Sequence, residues 1–325
     1  MAVKTFFPLV IDSTMLMEFD SCFQSGFRKY IQHLSKGTGE STDLIAGGAF
    51  AKGLEVARKM YYDQGSDPEY AIETGVAALY DAYGDHVPFK ENKSSYRMAT
   101  ALEQYFLEYP LGIDIVQPAK LANGNHAIEY SFAHELPIAH PDLEDFNIII
   151  TGRADMIGEY AGRLWCVDEK TTGSAFTMDW AKQWDTRGQF TTYAWGLQKD
   201  GIDVAGAYIR GVYLGKSNIK FNECQTTRNK FQIEIWEQQM LQKVNRIIEL
   251  YKQFKETGGH PLQFFHGSWN ESCMKYFRPC SFQDMCRDKN SEMFIESQYD
   301  QYIWLPHEQR REKLDVFLES IKVGE

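Results

Sequence analysis

The amino-acid sequence predicts an α/β fold in which a central mixed sheet is flanked by helices. Apolar residues recur at three- and four-residue spacing through the first third of the chain, a pattern typical of helices that bury one face. From residue 112 onward, short β-prone segments alternate with Gly, Pro and Asn, which favours strands joined by turns. The chain has 325 residues, 43% of them hydrophobic, so it can bury a large core. We therefore expect one α/β domain with helical additions.

The first region, residues 1–110, is predicted to be mainly helical. Its first helix should run from Ser13 to Leu34, with Ser13 or Thr14 as the N-cap and Cys22 inside the helix. A stretch rich in Gly, Ser and Thr then interrupts the helical pattern. Three more helices are expected after this stretch, over Leu44–Asp63, Ala71–Tyr83 and Ser95–Tyr109.

The second region, residues 111–257, should supply the sheet. Strands are predicted over Asp114–Pro118, His126–Leu136, Asn147–Glu159, Leu164–Thr171 and Val204–Leu214. Helices are predicted over Trp180–Lys199 and Ile233–Glu256, the second of them ending at Gly258 and Gly259. The third region, residues 258–325, contains a loop rich in aromatics and cysteines and is expected to be a metal-binding appendage with a C-terminal tail.

Charge and hydropathy exclude several classes of protein. With 34 basic and 45 acidic residues the net charge is -11, which argues against a general basic coat for nucleic acid. A nucleic-acid enzyme stays possible, because only its groove needs positive potential and bound cations offset acidic ligands. The mean hydropathy of -0.43 and the N-terminal residues predict neither a membrane span nor secretion. We therefore expect a cytoplasmic protein whose cysteines are reduced.

A carboxylate and lysine set carries the strongest chemical signal. In residues 152–172, a strand is expected to end near Asp155, a hairpin turn to follow at Ala161 and Gly162, and a second strand to carry Asp168 and Lys170. Because alternate residues of a strand share a face, these last two side chains should point the same way. Two carboxylates beside a lysine can hold a divalent cation and assist phosphodiester hydrolysis. The pattern therefore predicts a metal-dependent hydrolytic site.

An isolated Asp-x-Lys on a strand is usually a solvated edge with a cross-strand ion pair. Here Leu164, Trp165 and Val167 precede the charged residues, so the strand should be buried and expose its charges at one end only. Active sites on sheets are commonly found at such ends. The apolar context therefore favours the catalytic interpretation over the solvated edge.

The next helix adds Gln189 and Tyr193, which lie on one face at i, i+4 spacing. Gly-x-x-Asp, a turn, Asp-x-Lys-Thr and Gln-x-x-x-Tyr-Ala resemble, in this order, the RecB-like branch of the PD-(D/E)XK nucleases, over about residues 13–286. That branch includes CRISPR-adaptation and phage recombination exonucleases. The resemblance implies a restriction-endonuclease-like fold and an Mg²⁺- or Mn²⁺-dependent deoxyribonuclease.

The resemblance also implies a role for each residue of the motif. Asp155 and Asp168 would be the metal carboxylates, and Glu169 would offer its backbone carbonyl as a further ligand. Lys170 would be the catalytic lysine. Gln189 and Tyr193 would position the scissile strand or brace the site. We therefore expect the side chains of Asp155, Asp168 and Lys170 to converge on one divalent ion at the end of a sheet.

One position departs from the pattern of this branch. An upstream helix of the form Gly-x-x-x-His-x-x-Leu-Glu is usual, but the matching stretch here is Gly48 to Glu55 with Lys52 in place of the histidine. A protonated lysine cannot coordinate a cation. Lys52 is then either a solvated helix residue or a contact to DNA phosphate. A second metal ion is in doubt for this reason.

Cysteines form a second constellation. Cys273, Cys280 and Cys286 lie within fourteen residues in a polar context, which favours thiolate ligands, whereas Cys166 and Cys224 suit buried strand positions. A four-ligand site needs one more thiolate, and four thiolates suit either zinc or iron. The resemblance supplies Cys22 as the fourth ligand and implies a structural [4Fe–4S] cluster, with Zn²⁺ as the alternative.

The resemblance implies DNA with single-stranded or frayed ends as the substrate, an exonuclease reaction, and a role in recombination or repair in a prokaryotic or phage-infected cell. Two segments that mix aromatic and basic residues, Phe27–Tyr30 and Lys275–Pro279, could stack bases along a single strand or simply pack in the core. A homo-oligomer or a recombination partner is possible. The alternatives are a non-catalytic DNA-binding or scaffold subunit with a nuclease fold, and a zinc-stabilised partner-binding module.

Overall fold

A computed structural model describes residues 5–36, 41–88, 91–275 and 278–305. The chain divides into two compact units. The first unit comprises residues 1–38, 133–152 and 234–325, and the second unit comprises residues 39–132 and 153–233. The three regions expected from the sequence are drawn along different boundaries, and that division stays a prediction.

The sheet is mixed and has seven strands in the part of the chain that the structure describes. Its order is β1-β5-β6-β7-β8, and β3 and β4 also pair with β5. The pairs β1–β5 and β6–β7 are parallel, whereas β5–β6 and β7–β8 are antiparallel. The strands are β1 (Val10–Asp12), β2 (Leu34–Ser35), β3 (Gln117–Pro118), β4 (Ile128–Ala139), β5 (Asn147–Tyr160), β6 (Arg163–Thr172), β7 (Val204–Leu214), β8 (Ile219–Thr227), β9 (Met274–Lys275), β10 (Arg278–Pro279) and β11 (Asp300–Gln301).

Three helices of the second unit begin directly after a capping side chain. Ser41, Asp67 and Ser94 each accept a hydrogen bond from a first-turn amide of the helix that follows. Pro68 follows Asp67 at the first helical position, where a backbone N–H would have no partner within the helix and proline has none to leave unpaired. The helices are α1 (Ser13–Ser21), α2 (Phe23–Gly26), α3 (Thr42–Tyr62), α4 (Pro68–Tyr83), α5 (Ser95–Glu108), α6 (Met178–Lys182), α7 (Gly188–Lys199), α8 (Lys230–Thr257) and α9 (Ile295–Gln298).

In the second unit, α3, α4 and α5 pack against one face of β7. Val212 and Leu214 of that strand share a buried cluster with Phe50, Leu79 and other apolar residues of these helices. Because alternate residues of β7 point to opposite faces, Arg210 lies on the same face as Val212. The helices therefore cover one face of the sheet, and Ile209 and Gly211 belong to the other.

The first unit has its own apolar contacts. Phe6, Leu9 and Val10 pack with Ile149, next to the parallel pairing of β1 with residues 149–151. A second cluster joins chain segments that are far apart in sequence, with Leu34 packed against Phe282, Met285, Ile295 and Tyr299. This unit is therefore assembled from both ends of the chain.

Two predicted helices are broken in the structure. The expected helix from Ser13 to Leu34 is interrupted at Cys22, whose backbone is extended at φ -166° and ψ 119°, and it continues as α2 and a π-helical turn over Phe27–Ile31. Cys22 therefore lies between helices, not inside one. The helix expected over Trp180–Lys199 is likewise divided, because turns over residues 183–187 separate α6 from α7.

The structure confirms some of the other predicted elements and corrects the rest. The predicted strand Val204–Leu214 and the helices α3, α4 and α5 are confirmed to within a few residues. β5 does not end near Asp155 but continues to Tyr160, and β1 and β8 were not predicted. Most of Asp114–Pro118 is turn, with a strand only at Gln117–Pro118. Among the described residues, no helix is long and apolar enough to cross a membrane.

The aromatic and basic segment Phe27–Tyr30 is core, not a path for bases. Phe27 and Arg28 are 0% exposed and Tyr30 is 2% exposed. Arg28 donates to the side chains of Gln32 and Glu292 within the first unit, at 2.6 and 2.5 Å. The stacking interpretation of this segment is therefore wrong. The other segment that mixes aromatic and basic residues is Lys275–Pro279. Its residues 276 and 277 lie outside the described residues.

Candidate active site

The β5–β6 hairpin aligns the two aspartates of the predicted site. Ala161 and Gly162 form its turn with φ of 51° and 72°, the left-handed geometry that matches the twist of antiparallel strands. The antiparallel pairing runs as far as Met156 and Val167. The next pair in the same register would be Asp155 and Asp168, so the hairpin brings these carboxylates side by side.

At this step the side chain of Asp155 accepts a hydrogen bond from a backbone amide of β6. The Glu169 N–H donates to Asp155 Oδ2 at 3.2 Å. Asp155 is half-buried, and Asp168 is only 2% exposed. Both carboxylates are thus held at one place on the sheet, as the sequence predicted, although that place is inside β5 and not at its end.

Asp168 and Lys170 form a close ion pair on one face of β6. Lys170 Nζ lies 2.6 Å from Asp168 Oδ2, and the lysine side chain is 29% exposed. Asp168 Oδ2 is a buried oxygen, and Lys170 is its contacting cation among the described residues. Such an oxygen keeps lone pairs available for another positive partner.

The pKa values of Asp155 and Asp168 indicate that the site has more negative than positive charge. Burial and the neighbouring charges of Asp168 and Glu169 raise the pKa of Asp155 well above its usual value. Burial also raises the pKa of Asp168, although Lys170 opposes this effect. For Lys170, burial favours the neutral amine, but Asp168 and Asp155 outweigh it and raise its pKa. One lysine therefore offsets only part of the carboxylate charge.

Helix α7 brings its polar pair to the same carboxylate. Gln189 Nε2 donates to Asp168 Oδ1 at 3.5 Å, at the long limit for a hydrogen bond, and to the Tyr193 hydroxyl at 2.8 Å. Tyr193 is 8% exposed, and burial together with Asp168 and Asp155 raises the pKa of its hydroxyl. The predicted i, i+4 face of this helix therefore faces the aspartates.

Glu169 points to the opposite face of β6, as expected from strand alternation, and there it enters a buried ion pair. Arg58 of α3 donates to both of its carboxylate oxygens, at 2.5 and 3.4 Å, and the Tyr105 hydroxyl of α5 donates to Oε1 at 2.7 Å. The two charged side chains are 5% and 2% exposed. Burial opposes the charge of Glu169, but Arg58 outweighs it and lowers the pKa of this carboxyl.

A second buried arginine extends this network along β7. Arg210, which pairs with Glu169 in the parallel register, donates to Tyr105 at 3.2 Å and to both oxygens of Asp114 at 2.7 and 2.8 Å. Its guanidinium lies 3.9 Å from the Tyr109 ring centroid. Such bidentate, stacked geometry suits arginine and not lysine. The side chain of Glu169 is therefore fixed by two layers of polar contacts.

Lys52, at the position of the expected histidine, lies on α3 as a surface residue. Its Nζ is 2.9 Å from Glu55 Oε2, and its side chain is 49% exposed. Glu55 also pairs with Lys59 at 2.7 Å, and these two lysines lower its pKa although burial opposes them. The contacts of Lys52 are those of a solvated helix residue.

Sequence reasoning missed Arg58, Tyr105 and Arg210, although two of them carried a signal. Arg58 lies four residues after Leu54 on the apolar stripe of α3, and Arg210 interrupts an otherwise apolar strand. A charged residue in an apolar pattern must find a buried partner. That rule predicts an acidic partner for each arginine but not which one, because the partners come from distant segments.

The cysteines of the second constellation all belong to the first unit and are all free thiols. Burial and the nearby thiols of Cys22 and Cys280 raise the pKa of Cys286 to about 11, and Cys273 contributes in the same direction. The Cys280 N–H donates to the Cys273 carbonyl at 2.9 Å. The four predicted ligands are thus electrostatic neighbours.

Within the described residues, no three His, Cys, Asp or Glu side chains are grouped so that they could hold a metal ion. For the aspartate pair this agrees with the geometry, since only two carboxylates share that face. Mg²⁺ commonly takes one or two carboxylates and completes its shell with water and substrate oxygens. For the cysteines, the thiols are neighbours but not a preformed cage.

Comparison with known proteins decides the family. The sequence model of the PD-(D/E)XK nuclease superfamily matches residues 16–287, which include the aspartates, Lys170, Gln189 and Tyr193. The chain belongs to the PD-(D/E)XK nuclease superfamily. The mixed seven-stranded sheet flanked by helices is the restriction-endonuclease-like fold expected of this superfamily. The match supports nuclease chemistry with DNA as the substrate.

Solved structures show weaker likenesses. A crystal structure from Eubacterium rectale described as "Putative exonuclease" is 13% identical, with a TM-score of 0.39, over 74% of this chain and 82% of that chain. The structure of SSO0001 is 12% identical, with a TM-score of 0.26, over 70% of this chain and 84% of the other. No curated protein sequence matches. The superfamily assignment rests on the sequence model alone.

Replacement of Arg58 by methionine should destabilise this PD-(D/E)XK protein strongly. The change leaves the buried Glu169 carboxylate without its cation, which typically costs about 3–5 kcal/mol. The double variant Arg58→Met/Glu169→Met removes both charges and should recover most of that loss in urea unfolding. Lys59→Met, which breaks the exposed pair with Glu55, is the matched control on α3 and should cost less than about 1 kcal/mol. Equal losses in the single and double variants would contradict the buried pair.

Asp155→Asn should stabilise the metal-free protein at neutral pH while removing cation binding. The raised pKa of Asp155 means that the folded state binds its proton more tightly than the unfolded state does, so its ionisation opposes folding above the usual value of 3.8. An uncharged amide removes that repulsion. Thermal unfolding in EDTA should show a higher midpoint for the variant, and added Mg²⁺ should stabilise only the parent. A lower midpoint in EDTA would contradict the argument.

Proposed function

We propose that this protein is a divalent-metal-dependent exonuclease of the RecB-like branch that hydrolyses phosphodiester bonds at DNA ends in recombination or repair. The observation that carries the proposal is the excess of carboxylate charge at one place on the sheet, where Asp155 lies close enough to Asp168 to raise its own pKa and Lys170 Nζ lies 2.6 Å from Asp168 Oδ2. Two such carboxylates beside one lysine remain short of positive charge, and a divalent cation would supply it.

The donor set fits Mg²⁺ or Mn²⁺. Carboxylate oxygens are the ligands that hard divalent cations prefer, and the raised pKa values of Asp155 and Asp168 indicate a site short of positive charge. These two side chains and the backbone carbonyl of Glu169 would hold the ion. When bound, it acidifies a water molecule and polarises the phosphate.

The protein groups then have separate tasks. Lys170, charged because Asp168 and Asp155 raise its pKa, would stabilise the negative charge that develops on the phosphate oxygens. Gln189, which donates to Asp168 and to Tyr193, would hold the carboxylate in one orientation for the metal. A lysine that stays protonated cannot itself remove a proton from water, so its role is electrostatic.

Substrate ends are favoured by the burial of the site. Asp168 is 2% exposed and Tyr193 8%, so a phosphate must come close to largely buried groups to meet them. A flexible single strand can approach such groups more readily than a rigid duplex. Lys52 pairs with Glu55 on the surface of α3 and cannot replace the missing histidine as a ligand, so the proposed reaction uses one ion.

Cleavage assays on end-labelled DNA test this function. The parent should release nucleotides from single-stranded DNA in Mg²⁺ or Mn²⁺ and none in EDTA. Asp168→Ala and Lys170→Ala should each lower the rate by about 10²-fold or more, as for removal of one electrostatic catalytic group. Lys216→Ala, which changes an exposed lysine in the turn between β7 and β8, is the control and should leave the rate unchanged.

Four results would each overturn the proposal or a part of it. Cleavage that continues in EDTA would exclude a metal-dependent reaction, and unchanged rates in both site variants would exclude Asp168 and Lys170 from it. A parent that binds DNA but never cleaves it would favour the non-catalytic subunit instead. Cleavage of closed circular DNA as fast as of linear DNA would exclude the requirement for ends.

We further propose that Cys22, Cys273, Cys280 and Cys286 hold a structural [4Fe–4S] cluster. What supports this is that the four are free thiols, that Cys286 interacts electrostatically with the other three, and that they come from both ends of the chain. Four thiolates are the usual ligand set of such a cluster. Binding them would connect residues some 250 positions apart and so restrict the unfolded chain.

Cys280→Ser should remove the cluster and destabilise the first unit. The purified parent should be brown and contain iron, whereas the variant should lose both colour and iron and unfold at lower temperature. Cys224→Ser, in β8 of the second unit, is the matched control and should keep the iron. A colourless parent that contains zinc would support the zinc alternative, and a parent without metal would exclude a cysteine-bound metal.

A further inference from the structure

Arg187 is a cation close to the proposed active site that the reaction described above does not use. It lies immediately before α7, two residues ahead of Gln189, whose amide donates to Asp168. Arg187 is exposed, yet its charge is near enough to act on the ionisation of both Asp168 and Lys170. The side chain therefore adds positive potential beside the carboxylates and remains accessible to solvent.

The guanidinium of Arg187 lies over an aromatic ring and forms no ion pair with a carboxylate of the described residues. Its Cζ lies 5.9 Å from the Trp184 ring centroid, a cation–π distance. An arginine held on an aromatic ring keeps its donors free for a planar or tetrahedral oxyanion.

A second arginine, Arg228, holds the chain segment that carries Arg187. Arg228, 6% exposed, donates to the backbone carbonyls of Trp184 at 3.0 Å and Arg187 at 3.4 Å. It also donates to the hydroxyls of Thr191 in α7 and Thr226 in β8, at 2.8 and 2.7 Å. A buried arginine that satisfies two loop carbonyls and joins them to a helix and a strand restrains that loop.

The hydrogen bonds of Arg228 explain why the predicted helix is broken. A continuous helix over Trp180–Lys199 would engage the carbonyls of Trp184 and Arg187 within the helix and remove two of the acceptors of Arg228. The turns over residues 183–187 instead expose those carbonyls to Arg228. The break places an exposed arginine just before the helix that carries Gln189 and Tyr193.

We propose that Arg187 binds a backbone phosphate of the DNA strand next to the scissile bond. The inference rests on the proposed nuclease function, since it takes the substrate to be DNA at the Asp168–Lys170 site. A strand that approaches two carboxylates is repelled by them, and an accessible, preoriented guanidinium offsets that repulsion with charge-assisted hydrogen bonds. Because Arg187 contacts no reacting atom in this arrangement, it acts on substrate binding and not on the chemical step.

The chain contains a matched control. Arg163 is also exposed, and its Cζ also lies 5.9 Å from a tryptophan ring centroid, that of Trp165. It lies at the hairpin end of β6, five residues before Asp168, which corresponds to roughly 17 Å along a strand. Arg163→Ala therefore removes an equivalent cation–π pair and an equal charge away from the site.

The experiment measures binding separately from cleavage. The full chain is titrated with a fluorescent single-stranded oligonucleotide in Ca²⁺ and in EDTA at several salt concentrations, and cleavage is measured in Mg²⁺. Arg187→Ala should weaken binding about tenfold, raise KM by a similar factor and leave kcat within about twofold. Its slope of log affinity against log salt should fall by about one, the change expected for one phosphate contact.

Two further variants sharpen the result. Arg187→Gln keeps most of the stem over Trp184 but no charge and should lose as much affinity as alanine, whereas Arg187→Lys should retain part of it. Arg163→Ala should bind as the parent does. Since Arg187 is exposed, each variant should unfold at the temperature of the parent, so that weaker binding is not the result of unfolding.

The outcomes separate this inference from the proposed function. Unchanged binding in Arg187→Ala, or an equal loss in Arg163→Ala, overturns the role of Arg187 even if the parent is an active nuclease. A loss confined to kcat overturns it as well, because the contact would then belong to the chemical step. A parent that binds DNA through Arg187 but does not cleave overturns only the nuclease function, and a parent that binds no DNA overturns both.

Discussion

The alternation of β6 is the constraint on which the site depends. Three consecutive residues of this strand point to alternate faces of the sheet. Asp168 and Lys170 pair with each other on one face, and Arg58 and Tyr105 hold Glu169 on the other. A shift of the strand by one residue would bury Asp168 and Lys170 against α3 and α5 and expose Glu169. The buried pair behind the strand therefore fixes the register that presents the two aspartates and the lysine in front.

This arrangement divides the charges of the second unit into a satisfied set and an unsatisfied set. Behind the sheet, the acidic groups Glu169 and Asp114 each meet an arginine, so charge and hydrogen bonds balance. In front, Lys170 is the cation in contact with Asp168 among the described residues, and the pKa values of Asp155 and Asp168 rise through burial and, for Asp155, through the negative charge of Asp168. The buried ion pairs thus lie on the face of the sheet that carries Glu169. The opposite face, which carries Asp168, has more carboxylate than cationic charge. Such local instability is expected where a protein binds a metal ion.

Local patterns in the sequence were sufficient to predict the helices α3 to α5, strand β7, the Ala161–Gly162 turn and the opposite directions of Asp168 and Glu169. They failed where distant groups override local preference. The break at Cys22 and the turns over residues 183–187 both interrupt runs with a helical pattern, and in the second case the cause is visible in the hydrogen bonds of Arg228 to two loop carbonyls. No window of neighbouring residues contains that information, because Arg228 is some 40 positions away. The roles given to the site residues by the family resemblance remain predictions.

The two proposed metal sites belong to different units and are built by different kinds of chain segment. The carboxylate site lies within about 40 residues of continuous sequence, Asp155 to Tyr193, so the hairpin and one helix suffice to assemble it. The cysteine set joins Cys22 to a segment beginning at Cys273, and the closure of so long a loop has an entropic cost that local structure does not offset. A bound cluster would offset it, whereas the carboxylate site is assembled by the hairpin and the helix before its ion binds. Loss of the cysteine ligands should therefore affect the folding of the first unit, and loss of the aspartates should affect the reaction and leave the fold intact.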